Sequence, residues 1–382
     1  MNMKVENRDR LMERISAEPD VPLTYEEWKQ EASQKMSSGG FGYVSTGAGG
    51  EETASRNAQA FKKWAMIPRM LNDVSQVDMK LSLFGRTYDN PFFLSPIGMQ
   101  RLANEEGELA TARAAANMNV PLIVSTVSSY SIEDIASAAP NSSKWFQLYW
   151  SGRSKDISFS MVERAEQAGY EAVVLTVDTV MLGWREGDLR NKFSPLSQGF
   201  GMANFEQDPV FMKSLPDNDF DSIIEGIVDC LHHPALDWKN VRELKERTNL
   251  PILIKGILHP EDAREAVENG ADGIIVSNHG GRQLDGVIAS IDALPAIVEA
   301  VQGQIPVLLD SGIRRGIDAV KALALGADGV LIGRPFYYAL AARGQEGVEK
   351  FLERFIQEAE VSLALSGVSK LSEAAKIKMV RQ

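Results

Sequence analysis

Cysteine is nearly missing from this 382-residue chain, which contains Cys230 alone. One thiol cannot form an intrachain disulfide or supply the paired thiolates of a zinc cluster, and we expect no metal site. Long apolar runs are missing as well, and the first nine residues mix Lys4 and Arg8 with Glu6 and Asp9 instead of forming an apolar signal segment. These absences predict a cytoplasmic protein without a membrane partner.

Basic residues are too few to balance the acidic ones, since 40 Lys and Arg stand against 52 Asp and Glu and the formal net charge is -12. A chain with this charge repels phosphate backbones, and it has no Lys/Arg run with interleaved aromatic residues. We therefore expect no nucleic-acid partner. An anionic substrate would have to be captured by local arginines.

The first predicted element is a helix that begins at Thr24. Thr24 and Glu27 form the capping pattern Ser/Thr-x-x-Glu, in which the hydroxyl and the carboxylate bond free backbone amides. We expect this helix to run to about Met36, and we expect the glycine-rich residues 39–43 to form a loop.

Short apolar runs alternate with amphipathic stretches from Pro91 onward. Eight runs are typical of buried strands, namely Phe92–Leu94, Leu122–Val124, Trp145–Leu148, Ala172–Leu175, Ile252–Ile254, Gly273–Val276, Val307–Leu309 and Val330–Ile332. Helical patterns follow most of them, and Gly169, Gly270 and Gly326 close three of those helices. The count favours an α/β fold closed as a (β/α)8 TIM barrel, with an open parallel sheet as the alternative.

The chain is interpreted as one domain over residues 1–382. Residues 1–90 form an N-terminal helical segment, residues 91–343 the barrel, and residues 344–382 a C-terminal helical segment. One long segment interrupts the alternation of strands and helices. Residues 179–236 separate the fourth strand from the fifth and are rich in Gly, Pro, Asn and Asp. Such an insertion is typical of a lid. A disordered excursion is the alternative.

Polar residues follow seven of the eight predicted strands, where a barrel of this type carries its chemistry. The strand ends carry Gly98, Ser125, Gln147 with Tyr149, Thr176 with Asp178, Lys255, Ser277 with His279, Asp310 with Arg314, and Gly333 with Arg334. A purely structural barrel has no reason to place so many polar side chains there. We therefore predict an active site at this end of the barrel.

His279 is the best candidate for a general base, because among the four histidines it alone lies beside both an arginine and glycines. Asp178 is its expected partner, which would orient the ring and stabilise the imidazolium. The alternative role for Asp178 is a helix cap for the lid. The alternative role for His279 is that of a packing residue.

Arg282 and Arg185 could grip a substrate carboxylate through paired hydrogen bonds, with Tyr43 and Tyr149 as hydroxyl donors. Surface arginines and packed tyrosines are the alternatives. Lys255 is expected at the barrel mouth, where it would stabilise an anionic reduced flavin or form a Schiff base with a sugar phosphate. It could also simply extend its ammonium group to solvent.

Two glycine-containing loops follow the last two strands, at residues 310–316 and 333–335. Phosphate groups commonly bind at these loops of a barrel, because glycines let backbone amides approach and a helix start supplies a favourable dipole. The two loops together predict a cofactor that bears a phosphate.

The segment Ser277 to Asp285, which reads SNHGGRQLD, resembles the signature of the FMN-dependent 2-hydroxy-acid oxidising enzymes. The resemblance covers nearly the whole chain apart from about the first twenty residues and the lid. It implies an FMN cofactor, O2 as a reactant, His279 as proton acceptor with Asp178, and Tyr43, Tyr149, Arg185 and Arg282 around the substrate. It also implies flavin contacts at Pro96, Ile97, Gly98, Ser125, Gln147, Thr176, Lys255 and Ser277, and phosphate contacts at Asp310, Gly312, Arg314, Gly333 and Arg334.

Within this family the chain resembles the lactate 2-monooxygenases, which keep pyruvate bound until peroxide converts it to acetate. Gly98, the segment 183–185 and the segment 208–211 carry this resemblance, whereas Leu284-Asp285 resembles the oxidases that release pyruvate. Lid residues such as Phe211 or Met212 could admit a substrate larger than lactate.

Other activities of an FMN barrel stay open, namely an isomerase without net redox turnover and a quinone-linked lactate dehydrogenase. The family resemblance also implies a homotetramer. It does not decide whether the substrate hydrogen leaves as hydride or as proton, because both routes leave His279 protonated.

Overall fold

The computed structural model describes residues 21–382, and its first helices precede the barrel. Helix α1 spans Tyr25–Lys35, α2 spans Ser38–Ser45 and α3 spans Glu52–Lys63. The Thr24 hydroxyl accepts a hydrogen bond from Glu27 N, and the Glu27 carboxylate accepts one from Thr24 N. The predicted capping box and helix are therefore confirmed.

The predicted loop at residues 39–43 is wrong, because these residues lie in helix α2. Ser37 caps this helix by accepting from Gly40 N. A Cβ atom on Gly39 would lie 2.4 Å from the ring of Phe193, and one on Gly42 would lie 2.5 Å from Asn191 Nδ2. The glycines therefore serve close helix packing, which the sequence pattern does not distinguish from a turn.

Eight parallel strands close the predicted barrel. Strand β1 (Trp64–Ile67) and the hairpin β2 (Leu81–Leu83) and β3 (Arg86–Tyr88) precede it. The barrel strands are β4 (Phe92–Leu94), β5 (Leu122–Ser125), β6 (Lys144–Leu148), β7 (Val173–Thr176), β8 (Ile252–Ile257), β9 (Gly273–Val276), β10 (Val307–Leu309) and β11 (Gly329–Ile332). Their order is sequential and β11 pairs with β4, so the closed barrel is confirmed over the open sheet.

Helices follow the strands around the outside. They are α4 (Gly107–Asn117), α5 (Ile132–Ala138), α6 (Lys155–Gln167), α7 (Glu186–Asn191), α8 (Ala203–Glu206), α9 (Pro209–Ser214), α10 (Phe220–Leu231), α11 (Trp238–Lys245), α12 (Pro260–Glu268), α13 (Ser290–Val301), α14 (Gly316–Ala324) and α15 (Arg334–Leu365). Helix α15 is interrupted at Arg343 and Gly344. The chain then ends in β12 (Lys378–Arg381), which pairs antiparallel with β1, so the C-terminal segment is not wholly helical.

The barrel interior is filled by one apolar side chain from each strand. This layer consists of Phe93, Ile123, Trp145, Val174, Leu253, Ile275, Leu308 and Leu331, and residues of the β2–β3 hairpin pack in the same cluster. Side chains two residues apart on a strand point to the same face. The next inward positions are therefore Ser95, Ser125, Gln147, Thr176, Lys255, Ser277, Asp310 and Gly333. Strand periodicity thus places a polar layer directly above an apolar one.

Residues 179–236 contain helices α7 to α10, and a buried asparagine ties this segment to the barrel. Asn204 donates from Nδ2 to Ser125 O and Thr126 O, and its Oδ1 accepts from Ile132 N. Phe211 is one of the two lid residues that could admit a substrate larger than lactate, but it is fully buried and packs against the ring of Phe205. Because α9 turns this ring into the core, Phe211 does not face a substrate.

A buried carboxyl group connects the loops that follow β4 and β5. Glu108 Oε1 accepts from Gln100 N and Ser129 N at 3.0 Å each, and its Oε2 has no hydrogen-bond partner among the described residues. Burial raises the pKa of Glu108 from 4.5 to about 7, although these backbone amides oppose the shift. The folded protein therefore holds this proton more tightly than the unfolded chain does.

We expect Glu108→Gln to stabilise the protein at pH 8 but not at pH 4.5. Between the unfolded pKa of 4.5 and the folded pKa of about 7, rising pH favours the unfolded chain, and this penalty is complete above pH 7. Glutamine removes the penalty, which amounts to about 3 kcal/mol. Thermal unfolding at both pH values measures it, with the exposed Glu106→Gln as control. An equal shift at the two pH values would contradict the prediction.

Candidate active site

A cleft opens at the carboxyl ends of the barrel strands, directly above the polar layer, and its empty volume is about 1010 Å³. Most residues predicted for the site line it, namely Tyr43, Pro96, Ile97, Gly98, Ser125, Tyr149, Thr176, Arg185, Lys255, His279, Arg282, Asp310, Gly312, Arg314, Gly333 and Arg334. Three predicted residues, Asp178, Gln147 and Ser277, lie behind this lining and contact it. The structure therefore brings the predicted set together, although their roles stay predictions.

His279 and Asp178 form a direct pair across the cleft wall. His279 Nδ1 lies 2.8 Å from Asp178 Oδ1 and 3.3 Å from Thr179 Oγ1. An ionised carboxylate can only accept, so Nδ1 carries the proton and Nε2 keeps its lone pair. The backbone of His279 has φ 58°, in the left-handed region, and its N donates to Ser277 Oγ. The side chain of Asp178 therefore contacts His279 as expected, and the alternative role as a helix cap of the lid is not what its contacts show.

The electrostatics of this pair favour a neutral imidazole beside an ionised carboxylate. Burial lowers the pKa of His279, and Asp178 offsets this shift in part. Burial opposes ionisation of Asp178, but the charge and hydrogen bond of His279, with help from Lys255, lower its pKa overall. The ring can therefore accept a proton at neutral pH.

Two arginines and a tyrosine form another part of the cleft lining. Arg282 Nη1 donates to Tyr43 O and to Thr46 O, and its guanidinium carbon lies 4.6 Å from the centre of the Tyr43 ring. Arg185 donates from Nε to Arg282 O and from Nη2 to Gln283 Oε1, both at 3.1 Å. These bonds fix the two cations side by side. Burial first and the charge of Arg185 second lower the pKa of Arg282 to about 10.

Lys255 is buried at the centre of the polar layer and does not extend to solvent. Its Nζ donates to Ser277 Oγ at 2.9 Å and lies 3.0 Å from Asp310 Oδ2. Burial alone would lower the pKa of Lys255, but Asp310 and Asp178 raise it overall. The amine is therefore held as a cation, which disfavours the Schiff-base alternative.

Two buried polar atoms in the floor of the cleft have no partner among the described residues. Gln147 Nε2 and Thr176 Oγ1 are both inaccessible and unpaired. Gln147 Oε1, in contrast, accepts from Ser125 Oγ and Thr126 N. Buried polar atoms are normally paired, so a polar group of a bound cofactor fits these two positions. The adjacent cation of Lys255 fits a cofactor that becomes anionic on reduction.

The predicted phosphate end of the cleft contains Arg314 and Arg334, but their contacts differ. Arg334 donates from Nε, Nη1 and Nη2 to Val44 O, Gly280 O and Thr46 O. This side chain joins α2 to the loop after β9, and its guanidinium already serves backbone carbonyls. Arg314 donates from Nη1 to Ile313 O and lies over the ring of Tyr25. We therefore expect Arg314 to make the main contact with a phosphate.

Sequence reasoning gave no role to two asparagines and a glutamine that hold the loop of His279. Asn57 and Asn278 exchange two side-chain hydrogen bonds of 2.7 Å, which connect α3 to this loop. Gln283 Nε2 donates to Asp178 O and Met181 O. Gln283 and Asn278 lie within the SNHGGRQLD segment, so their position in the sequence could have indicated a role in the site. Asn57 is 221 positions from its partner, and no motif in the sequence indicated its role.

Comparison with known proteins agrees with this geometry. The family model described as FMN-dependent dehydrogenase matches residues 32–381. The L-lactate oxidase of Lysinibacillus sphaericus is 56% identical over 373 residues, which cover 98% of this chain and 96% of that protein. Human 2-hydroxyacid oxidase 1 is 41% identical over 89% of this chain and 92% of its own length. A crystal structure of mandelate oxidase superimposes with a TM-score of 0.86 at 39% identity and covers 94% of this chain and 99% of that one.

The fold and the site thus define an FMN-dependent oxidoreductase of 2-hydroxy acids. The chain belongs to the FMN-dependent dehydrogenase family, as the SNHGGRQLD segment predicted. Within the part of the chain that the structure describes, no helix is both long and apolar enough to span a membrane.

Proposed function

We propose that this protein oxidises L-lactate, or a similarly short (S)-2-hydroxy acid, with O2 as electron acceptor, and releases pyruvate and hydrogen peroxide. The observation that carries this proposal is the 56% identity, over 98% of the chain, to a protein named L-lactate oxidase. The other relatives reported above are named for oxidation of 2-hydroxy acids. The cleft supports the proposal because two cations and a paired histidine face one space.

The substrate carboxylate would bind at Arg282 and Arg185. Both guanidinium groups are held by backbone and amide oxygens, so little side-chain freedom is lost when an anion binds. Planar guanidinium groups match a carboxylate geometrically. Tyr43 and Tyr149 would direct their hydroxyls to the carboxylate and the 2-hydroxyl group. Burial raises the pKa of Tyr149, so its hydroxyl stays a donor at neutral pH.

His279 would accept the substrate proton at Nε2, because Nδ1 is occupied by its bond to Asp178. Asp178 would stabilise the imidazolium that results. FMN, when bound, supplies the acceptor for the two electrons. The flavin ring would be held by Gln147, Thr176, Lys255 and Ser277, together with Pro96, Ile97, Gly98 and Ser125. The FMN phosphate would be surrounded by Asp310, Gly312, Arg314, Gly333 and Arg334, with Arg314 as the main cation.

The second candidate function is lactate 2-monooxygenase, in which pyruvate stays bound and is converted to acetate, CO2 and water. The observation that favours it is Gly98. A Cβ atom at this position would lie 2.5 Å from Val127 O and 3.0 Å from Ser125 Oγ, so alanine requires the neighbouring loop to move. The name of the 56% identical relative favours the oxidase, which is why we place release of pyruvate first.

We expect anaerobic L-lactate to bleach the flavin absorbance of the holoenzyme, and aerobic turnover to yield pyruvate and hydrogen peroxide in equal amounts. Free peroxide decarboxylates free pyruvate, so chromatography of a reaction with catalase present measures the ratio of pyruvate to acetate, and a parallel reaction without catalase measures the peroxide. Acetate with CO2 as the main products would establish the monooxygenase instead. Absence of bleaching by any short 2-hydroxy acid would contradict both the oxidase and the monooxygenase, and would favour the isomerase. Slow reoxidation by O2 with fast reoxidation by a quinone would establish the dehydrogenase.

We further propose that the chain forms one domain over residues 1–382, of which residues 1–20 lie outside the described part, with residues 179–236 as a lid. The protein would be a cytoplasmic homotetramer, and light scattering of the holoenzyme tests the tetramer.

A further inference from the structure

We propose that Asp188 is an internal counter-ion of the two site arginines, which competes with the substrate carboxylate and thereby promotes release of the 2-oxo-acid product. This inference rests on the proposed function, because it assumes that Arg185 and Arg282 receive a carboxylate. Asp188 lies in the insertion of residues 179–236. It belongs neither to the SNHGGRQLD segment nor to the cleft lining, and we assign it an effect on which product is released.

The arginine cluster holds more positive charge than one monoanionic substrate neutralises. Arg185 is 7% exposed, and Arg282 lies in the same wall with Arg334 nearby. Positive charge from Arg185 and from Arg334 acts on Arg282. Like charges repel strongly where little water separates them. Arg334 would lie near the FMN phosphate, but Arg185 and Arg282 together still need a second anion besides the substrate carboxylate.

Asp188 meets this need through charge and not through a hydrogen bond. Its Oδ2 lies 3.9 Å from Arg185 Nη1, and its side chain is 17% exposed. Its Oδ1 is buried and has no hydrogen-bond partner among the described residues. Burial raises the pKa of Asp188, while Arg282 and Arg185 act in the opposite direction. The carboxylate is thus coupled to both arginines but bonded tightly to neither.

Helix α7 holds the Asp188 carboxylate on its face toward Arg185 and Arg282. A Cβ atom at Gly187 would lie 2.9 Å from Thr46 Oγ1, so the helix approaches the end of α2 closely. The flanking charges of α7 face the other way, since the side chains of Glu186 and Arg190 are 53% and 80% exposed. Asp188 is therefore the acidic side chain of α7 that faces the arginines.

Substrate binding brings a second carboxylate to Arg185 and Arg282. The carboxylate of Asp188 and that of the substrate then share two cations, so each carboxylate weakens the binding of the other to the arginines. Removing the charge of Asp188 leaves both cations to the ligand, so anions should bind more tightly and leave more slowly.

Slower release matters chemically because pyruvate that stays bound can react with the hydrogen peroxide that reoxidation forms. The C1–C2 bond of pyruvate and the O–O bond of peroxide break, one peroxide oxygen joins C2 to give acetic acid, and CO2 and water leave. Pyruvic acid and hydrogen peroxide balance acetic acid, CO2 and water. Asp188 would therefore bias turnover toward free pyruvate.

The test is a titration of the oxidised holoenzyme with pyruvate and with oxalate, followed by the flavin absorbance. We expect Asp188→Asn to lower the Kd for pyruvate about tenfold, with a larger decrease for the oxalate dianion. We also expect it to raise the acetate fraction of aerobic turnover when catalase removes free peroxide. Glu186→Gln removes the same charge from the same helix and should change Kd less than twofold. Asp188→Glu keeps the charge and should retain the wild-type Kd.

An unchanged or higher Kd in Asp188→Asn, with FMN retained, would overturn the inference, as would equal tightening in Glu186→Gln. If Asp188→Asn does not fold, Asp188→Ser is judged by the same criteria. The titration needs no turnover, so its result is separate from the proposed function. Failure of L-lactate to bleach the wild-type flavin overturns the function, whereas bleaching without tighter anion binding overturns this inference alone.

Discussion

His279→Asn is expected to lower kcat/KM for L-lactate about 10⁴-fold while the protein still folds and binds FMN. A positioned general base contributes up to about this factor, and the amide of asparagine cannot accept the substrate proton. Asparagine is the suitable substitution because His279 has φ 58°, and asparagine tolerates the left-handed region better than most residues. Stopped-flow measurement of anaerobic flavin reduction isolates this step from reoxidation.

His259→Asn is the matched control for this variant. His259 is exposed and caps α12 by accepting from Glu261 N through Nδ1, a role that asparagine also fills. It should leave flavin reduction unchanged. A decrease of less than tenfold in His279→Asn would assign the proton transfer to another group of the cleft.

Asp178→Asn is expected to lower kcat/KM about 10²-fold to 10³-fold and to displace the acidic limb of its pH profile to lower pH. Asp178 raises the pKa of His279 against the effect of burial, so removing its charge lowers that pKa further. The weaker base accepts the substrate proton less readily, and the imidazolium loses its counter-ion. The activity loss and the displacement should therefore occur together.

The pH dependence of kcat/KM measures both effects. Activity of the wild-type protein should fall as the pH drops through the pKa of His279, since the protonated ring cannot act as a base. Asp219→Asn is the control, because Asp219 caps α10 and asparagine keeps that cap while removing one acidic charge. An activity loss in Asp178→Asn without displacement of the limb would mean that Asp178 only orients the ring.

The barrel could be predicted because its signals are local. Each buried strand is a short apolar run, and some helix ends carry a cap or a glycine, as at Thr24 and at Gly169. The region around α2 was predicted wrongly, since glycine signals both a turn and a close helix contact. What separates the two at Gly39 is the ring of Phe193, which is distant in sequence.

The candidate site was predictable in its composition but not in its contacts. Both Arg282 and Arg334 line the cleft, yet Arg334 donates from all three guanidinium nitrogens to backbone carbonyls. Arg282 makes its backbone hydrogen bonds through Nη1 and lies over the ring of Tyr43. No local pattern separates two arginines that both follow barrel strands. The difference depends on where α2 packs.

By itself, the sequence determined the eight strands, the polar layer above them and the family, because strand periodicity and the SNHGGRQLD segment are properties of neighbouring residues. Only the tertiary structure decided that Asp178 pairs with His279 instead of capping a lid helix, that Asn57 holds Asn278, that Phe211 belongs to the core and that Asp188 faces the arginines. These contacts join the insertion and the first helices to a closed barrel. Their geometry exists only after closure brings distant segments together.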